Sequence, residues 1–241
     1  MSVANEKTVR DLALENPAAT RVLEKLGIDY CCGGDQTLGQ ACQAANVPIA
    51  QVLDSLAEAE RAKQPNNTDR DWQRGPLGDL IAHINGTHHK FVRDETTRLR
   101  ALFEKVCSVH GKNHPELLEI RDTFSALADE LAIHMTKEER ILFPYIVRME
   151  EAVVQNEPIL PSPFGTVENP IGMMMHEHDS AGGALRVLRQ ASSGYVPPPD
   201  ACLTYQTLYR ALADFEADLH QHIHLENNIL FPQAIEMETQ H

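Results

Sequence analysis

The chain has 241 residues, of which 35 are acidic and 21 basic, giving a formal net charge of −14. This balance excludes nucleic acid as a standing partner, because phosphate binding needs clustered lysine and arginine. The start of the chain lacks a basic stretch followed by an apolar run, and no segment approaches the roughly 20 apolar residues that span a bilayer. We therefore expect a cytoplasmic protein that does not associate with membranes.

Residues 1–62 are predicted to form a small helical domain. Thr8 is expected to cap one helix, and Pro17 to open a second that ends at Gly27. Two further helical patterns follow at 38–45 and 49–62. The polar, proline-containing stretch 63–75 is predicted to be a linker.

A glycine-rich turn at 29–34 contains the adjacent Cys31 and Cys32. Five cysteines, an odd number, do not indicate a secreted disulfide framework. Two interpretations of the pair stay open. It is either a redox or metal-passing dithiol, or a turn that packs the small domain.

Residues 76–241 are predicted to form an all-α, up-down four-helix bundle. Apolar residues recur there at steps of three and four, and proline-rich segments separate the helices. The predicted helices span 76–108, 115–150, 170–192 and 201–237.

Two segments of the second and fourth predicted helices repeat each other. Each contains a histidine and a glutamate four residues apart, His134 with Glu138 and His222 with Glu226, followed by Ile-Leu-Phe-Pro. Residues at this spacing share one face of a helix. These polar side chains interrupt otherwise apolar stripes, which is costly unless a metal satisfies them. Two such pairs indicate a site for two metal ions.

The repeated prolines, Pro144 and Pro232, lack the N–H that an α-helix interior needs. We expect a bend or a helix end just after each glutamate.

The other two helices should supply further ligands. In the third, the apolar stripe favours His178 over His176. In the first helix, counting 100° per residue favours His88. The spacing to His178 favours His89 instead, because it is close to the spacing between the two repeated segments. From the residues alone, both remain open.

Histidine and carboxylate together favour iron, and the same ligands also suit manganese or zinc. The pattern differs from the Glu-x-x-His pairs of ferritin-like sites. Glu130 and Glu177 are interpreted either as groups that orient the metal ligands or handle protons, or equally well as ordinary solvated residues. His88, where it is not the ligand, is interpreted as an ordinary surface residue or a neighbour of the site.

The ordered motifs resemble the RIC family (repair of iron centres, of the ScdA/YtfE type), a resemblance that covers nearly the whole chain. They are Asp29-Tyr-Cys-Cys-Gly-Gly, Thr87-His-His, His134-x-x-x-Glu, Glu177-His-Asp and His222-x-x-x-Glu-Asn-Asn. The resemblance implies a hemerythrin-like bundle after an ScdA_N-type domain. It also implies two non-haem irons bridged by Glu138 and Glu226. The implied ligands are His89, His134, Glu138, His178, His222 and Glu226.

The function implied by the resemblance is repair of iron–sulfur clusters damaged by nitrosative or oxidative stress, by donation of iron. The expected partners are damaged iron–sulfur proteins, nitric oxide and dioxygen, and a homodimer is expected. Two alternatives are a module that binds or senses dioxygen or nitric oxide, and a reductase of nitric oxide or peroxide. Whether the chain is an enzyme is therefore left open.

Overall fold

The computed structural model describes residues 7–61 and 71–240, and within these ranges the named elements are helices. The predicted all-α class is confirmed. Isolated bridges join Thr8 to Thr37 and Ser162 to Gly165, and no described residue belongs to a named strand. No described helix has a stretch that is both long and apolar enough to cross a bilayer.

The described chain divides into two compact units. The first combines Met1–Pro76 with His220–Gln233, and the second combines Leu77–Leu219 with Ala234–His241. The segment His220–Gln233 lies within the fourth long helix, so that helix contributes residues to both units. Most of the predicted linker, 63–70, lies outside the described residues, and the predicted domain boundaries stay predictions.

The N-terminal helices begin where the sequence predicts, because their caps are strong. The hydroxyl of Thr8 accepts the N–H of Asp11, and the Asp11 carboxylate accepts the N–H of Thr8 in return. Thr37 and Gln40 form a second capping box. Gly27 has a φ of 67°, the left-handed conformation that ends a helix most easily when the residue is glycine. These helices span Val9–Glu15, Pro17–Lys25, Leu38–Ala44 and Ile49–Arg61.

A compact apolar core holds these four helices together. It is built from side chains of each helix and of the turn between the second and third, including Val9, Leu23, Tyr30, Leu38 and Val52. All five are almost fully buried. Burying such side chains is the main favourable contribution to folding a unit of this size.

Three of the four long helices contain a π-helical turn, a feature that the sequence analysis missed. The segments are Leu77–His83, Ile84–His89 (π) and Lys90–His110 in the first helix, and Glu116–Lys137, Glu138–Leu142 (π) and Phe143–Val154 in the second. The third helix is Glu168–Ala191, and the fourth consists of Leu203–Leu225, Glu226–Leu230 (π) and Phe231–Gln240.

The π turns explain why no helix ends at the repeated prolines. The N–H of Phe143 donates to the carbonyl of Glu138, and that of Phe231 to Glu226, so each turn closes over five residues instead of four. The extra residue moves the following proline ring away from the carbonyl with which it would clash in an α turn. Of the two predicted outcomes, a bend or a helix end, the helix end does not occur, because each helix continues through a widened turn that starts at the glutamate.

Aromatic packing and a half-buried carboxylate order the second unit. The ring of Phe124 lies 5.5 Å from that of Phe103 and 5.4 Å from that of Phe215, which joins the first, second and fourth helices. At the start of the first helix, the N–H groups of Leu77 and Gly78 donate to the Glu150 carboxylate at 2.6 and 2.8 Å. A carboxylate is favourable there because the first N–H groups of a helix have no partner within it.

Candidate metal centre

In the second unit, three predicted ligands converge in the bundle interior. The ligand atoms of His134, Glu138 and His178 all lie within 4.8 Å of one another. The Nε2 atoms of His134 and His178 are 3.1 Å apart, and His134 Nε2 is 3.3 Å from Glu138 Oε2. All three residues are buried.

The first helix adds His89 and not His88 to this group. His89 Nε2 lies 3.3 Å from Glu138 Oε2, and the ring is completely buried. His88 instead places Nδ1 3.0 Å from Asp218 Oδ1 and packs its ring edge-on against His83. In the second unit, the imidazole beside the shared carboxylate is therefore that of His89.

The π turn at Ile84–His89 explains why the stripe count favours His88. A π turn contains about one residue more than an α turn, so the inward-facing position moves forward by one. The residues that follow the turn show the same shift of one position. The α-helical count predicts that Phe91 faces inward, but Phe91 is only partly buried and Val92 is fully buried. Gly86 lies within this turn and is a local hint of it in the sequence.

Carboxylates determine which nitrogen of each ring carries the proton. His134 Nδ1 lies 2.8 Å from Glu177 Oε2, and His89 Nδ1 lies 2.7 Å from Glu139 Oε1. An ionised carboxylate only accepts hydrogen bonds, so each Nδ1 is the donor, and in the neutral ring Nε2 then presents the lone pair. This is the arrangement in which metal-binding histidines are held by outer carboxylates.

Nearby cations keep these outer carboxylates ionised. Burial raises the pKa of Glu139, but hydrogen bonds from Arg93 and His89 outweigh it, so the pKa lies below its ordinary value. Burial likewise raises the pKa of Glu177, but the hydrogen bonds from Lys137 and His134 outweigh it, so this pKa also lies below its ordinary value. Both groups therefore act as acceptors at neutral pH.

The donor set fits a cation better than it fits an apolar core. As neutral rings, His89 and His134 both direct a lone pair at the carboxylate of Glu138, which repels them unless a positive charge lies between. The N–N and N–O separations of 3.1 to 3.3 Å are also those of neighbouring ligands on one ion. Ligands at about 2.1 Å from a metal are about 3.0 Å apart in octahedral geometry and about 3.4 Å apart in tetrahedral geometry.

The second predicted pair lies in the first unit, within His220–Gln233. His222 Nε2 is 2.9 Å from Glu226 Oε1, and both side chains are buried. Glu226 opens the π turn of this helix, just as Glu138 opens that of the second helix. The internal repeat of the sequence is thus also a repeat of local structure.

One outer carboxylate, that of Glu139, is not singled out by the sequence pattern, whereas Glu130, which is singled out, lies exposed. Glu139, the partner of His89, follows Glu138 directly, and this acidic doublet was the available signal. Glu177 contacts His134 and is anchored by Lys137. Glu130 is exposed on the second helix.

Two family models match the chain. The hemerythrin HHE cation binding domain matches residues 80–234, and ScdA_N, a domain of unknown function (DUF542), matches residues 5–60. The first match includes every predicted metal ligand.

Curated relatives match over nearly the full length. The iron-sulfur cluster repair protein YtfE of Pectobacterium carotovorum subsp. carotovorum is 37% identical over 97% of this chain and 98% of its own. YtfE of Dickeya chrysanthemi is 37% identical with the same coverage. A probable iron-sulfur cluster repair protein of Haemophilus influenzae is 34% identical over 98% of this chain and 99% of its own.

The helical bundle and its buried histidines and carboxylates define a metal-binding protein of the hemerythrin class. Such proteins bind iron, and the donor set described above suits it. More particularly, the chain belongs to the same family as the YtfE proteins.

Proposed function

We propose that this protein repairs damaged iron–sulfur clusters and that its bundle binds two non-haem irons, one or both of which are given up to the client. The observation that carries the proposal is the convergence of His89, His134 and His178 on the carboxylate of Glu138. The printed names of the full-length relatives support the repair role.

The proposed ligands are the six residues implied by the sequence resemblance. His89, His134, Glu138 and His178 form one part, and the repeated pair His222 and Glu226 supplies the rest. One family model spans both pairs, which supports a single centre with two bridging glutamates. Iron, when bound, supplies coordination sites at which nitric oxide or dioxygen can bind.

The chain's own residues suit a donor of iron. Imidazole and carboxylate hold Fe(II) less firmly than thiolates do, so a cysteine-rich cluster site can compete for the ion. Glu139 and Glu177 keep the Nδ1 proton on His89 and His134, which leaves Nε2 available whenever iron returns. The burial of these side chains also limits access of water to the ligands.

A reconstituted repair assay tests this function. A purified [4Fe–4S] dehydratase is inactivated with nitric oxide and then incubated anaerobically with the iron-loaded protein and a thiol reductant. We expect dehydratase activity to return with the iron-loaded protein and not with the metal-free protein. Glu138→Gln should restore less activity, whereas Glu119→Gln, an exposed glutamate on the same helix, should match the wild type.

Equal recovery with metal-free protein would contradict iron donation, and no recovery at all would contradict the repair role. Steady consumption of nitric oxide with an added reductant would favour the reductase alternative. A single stoichiometric adduct would favour the binding or sensing module. Cytoplasmic location and a homodimer are further predictions, the second measurable by analytical ultracentrifugation.

A further inference from the structure

The turn between the second and third N-terminal helices brings together three side chains of types that can bind metals. The ligand atoms of Asp29, Cys31 and Cys32 all lie within 4.8 Å of one another. Cys31 Sγ is 3.9 Å from Cys32 Sγ and 3.5 Å from Asp29 Oδ1. All of this lies in the region matched by ScdA_N, which has no described function.

These separations are those of ligands on one tetrahedral ion. With metal–sulfur bonds of about 2.3 Å, two thiolates on a tetrahedral centre lie about 3.8 Å apart. A thiolate and a carboxylate oxygen at about 2.1 Å lie about 3.6 Å apart. The observed 3.9 Å between the two sulfurs matches the first of these edges, and the three ligand atoms lie within 4.8 Å of one another, so small side-chain rotations bring them onto one ion.

The turn is held in this shape from both sides. The N–H groups of Cys31, Cys32 and Gly33 donate to Asp29 Oδ1 at 3.1, 2.9 and 3.0 Å. A Cβ on Gly33 would lie 3.3 Å from Asp29, and one on Gly34 would lie 3.2 Å from the carbonyl oxygen of Tyr30, so the glycines allow the tight curl.

Two asparagines of the same unit fasten the other side of the turn. The Asn228 side chain donates to the carbonyl of Tyr30 at 3.1 Å, and Asn227 donates to that of Cys31 at 3.4 Å. Arg10 in turn donates to Asn228 Oδ1 at 2.7 Å. Side chains supported in this way are held in place before a metal binds. They therefore bind a metal more favourably than the same side chains on a flexible turn would.

We propose that Asp29, Cys31 and Cys32 form a second metal site, which binds one thiophilic divalent ion such as Zn²⁺ or Fe²⁺. Among the described residues the group offers three ligands, so a tetrahedral ion keeps a fourth position for an exogenous ligand such as a thiolate. On binding, the ion takes two thiolates and the two thiol protons pass to solvent. The proposal does not depend on the repair function.

Cobalt(II) titration of the full-length protein tests the proposal, because thiolate–cobalt charge-transfer absorption reports sulfur ligands only. Histidine and carboxylate ligands in the bundle do not produce this band. We expect cobalt, added in excess of the two ions that the bundle can bind, to give the band in the reduced wild type. Cys31→Ser and Cys32→Ser should lose it. Cys202→Ser, which removes an exposed cysteine elsewhere, should keep it. We expect Asp29→Asn to keep the band and to weaken cobalt affinity by about tenfold.

Absence of the band in the wild type would overturn the proposal. So would a band that survives in Cys31→Ser and Cys32→Ser and disappears in Cys202→Ser, since Cys202 Sγ lies 3.2 Å from His110 Nε2. Zinc content of protein purified without iron gives an independent readout, and we expect it to fall in the same variants that lose the band.

Discussion

Replacing Glu177 by glutamine tests how the outer carboxylates control the metal ligands. Glu177 accepts the Nδ1 proton of His134 at 2.8 Å and is itself held by Lys137. A glutamine of the same size can donate its amide N–H to Nδ1, which moves the ring proton to Nε2 and blocks the ligating lone pair. The variant should therefore bind Fe(II) more weakly without loss of any proposed ligand.

The loss of iron affinity in Glu177→Gln should lie near the lower end of the range usual for such substitutions. Removing such an outer partner typically weakens metal binding by about 10- to 100-fold. The Glu177 side chain is 32% exposed, so water replaces part of the lost hydrogen bonding. We expect about a tenfold loss of affinity, which equals about 1.4 kcal/mol.

The assay is anaerobic competition for Fe(II) against a chromophoric chelator. Glu168→Gln, an exposed glutamate at the start of the same helix, is the matched control and should bind iron as the wild type does. An unchanged affinity in Glu177→Gln would refute the argument that the carboxylate sets the tautomer of His134.

Two further predictions concern stability. The hydrogen bonds to Asp200 and Glu116 raise the pKa of His114 in the folded protein. Protonated His114 therefore stabilises the fold fully below the unfolded pKa of about 6.5. This stabilisation is lost as the pH rises through the higher folded pKa. The difference in unfolding free energy between wild type and His114→Ala should shrink over that rise in denaturant titrations, and a constant difference would contradict this sign. Phe124→Ala should lower the free energy of unfolding by about 3–5 kcal/mol, because the ring is fully buried between Phe103 and Phe215. A loss below about 1 kcal/mol would mean that this aromatic cluster does not order the bundle.

The local features that sequence predicts best are those with short-range causes. Thr8 and Gly27 mark helix ends through caps that depend on a few neighbouring residues. The histidine and glutamate of each repeat share a face for the same reason, since four residues make about one turn.

The features missed by sequence depend on hydrogen bonding over a widened turn or on distant partners. The choice between His88 and His89 follows from a π turn that α-helical counting does not include. Glu139 becomes relevant only once the first and second helices pack together. The asparagines after Glu226 are part of a recognisable motif, but their bonds to the carbonyls of Tyr30 and Cys31 join positions almost 200 residues apart, at separations of 198 and 196.

The most direct test of the central claim is iron content per chain, with Mössbauer spectra, for wild type, His89→Ala and His88→Ala purified anaerobically. The account predicts two coupled irons in the wild type and in His88→Ala, and loss of one or both in His89→Ala. Wild-type protein without iron, or two intact irons in His89→Ala together with loss in His88→Ala, would contradict it.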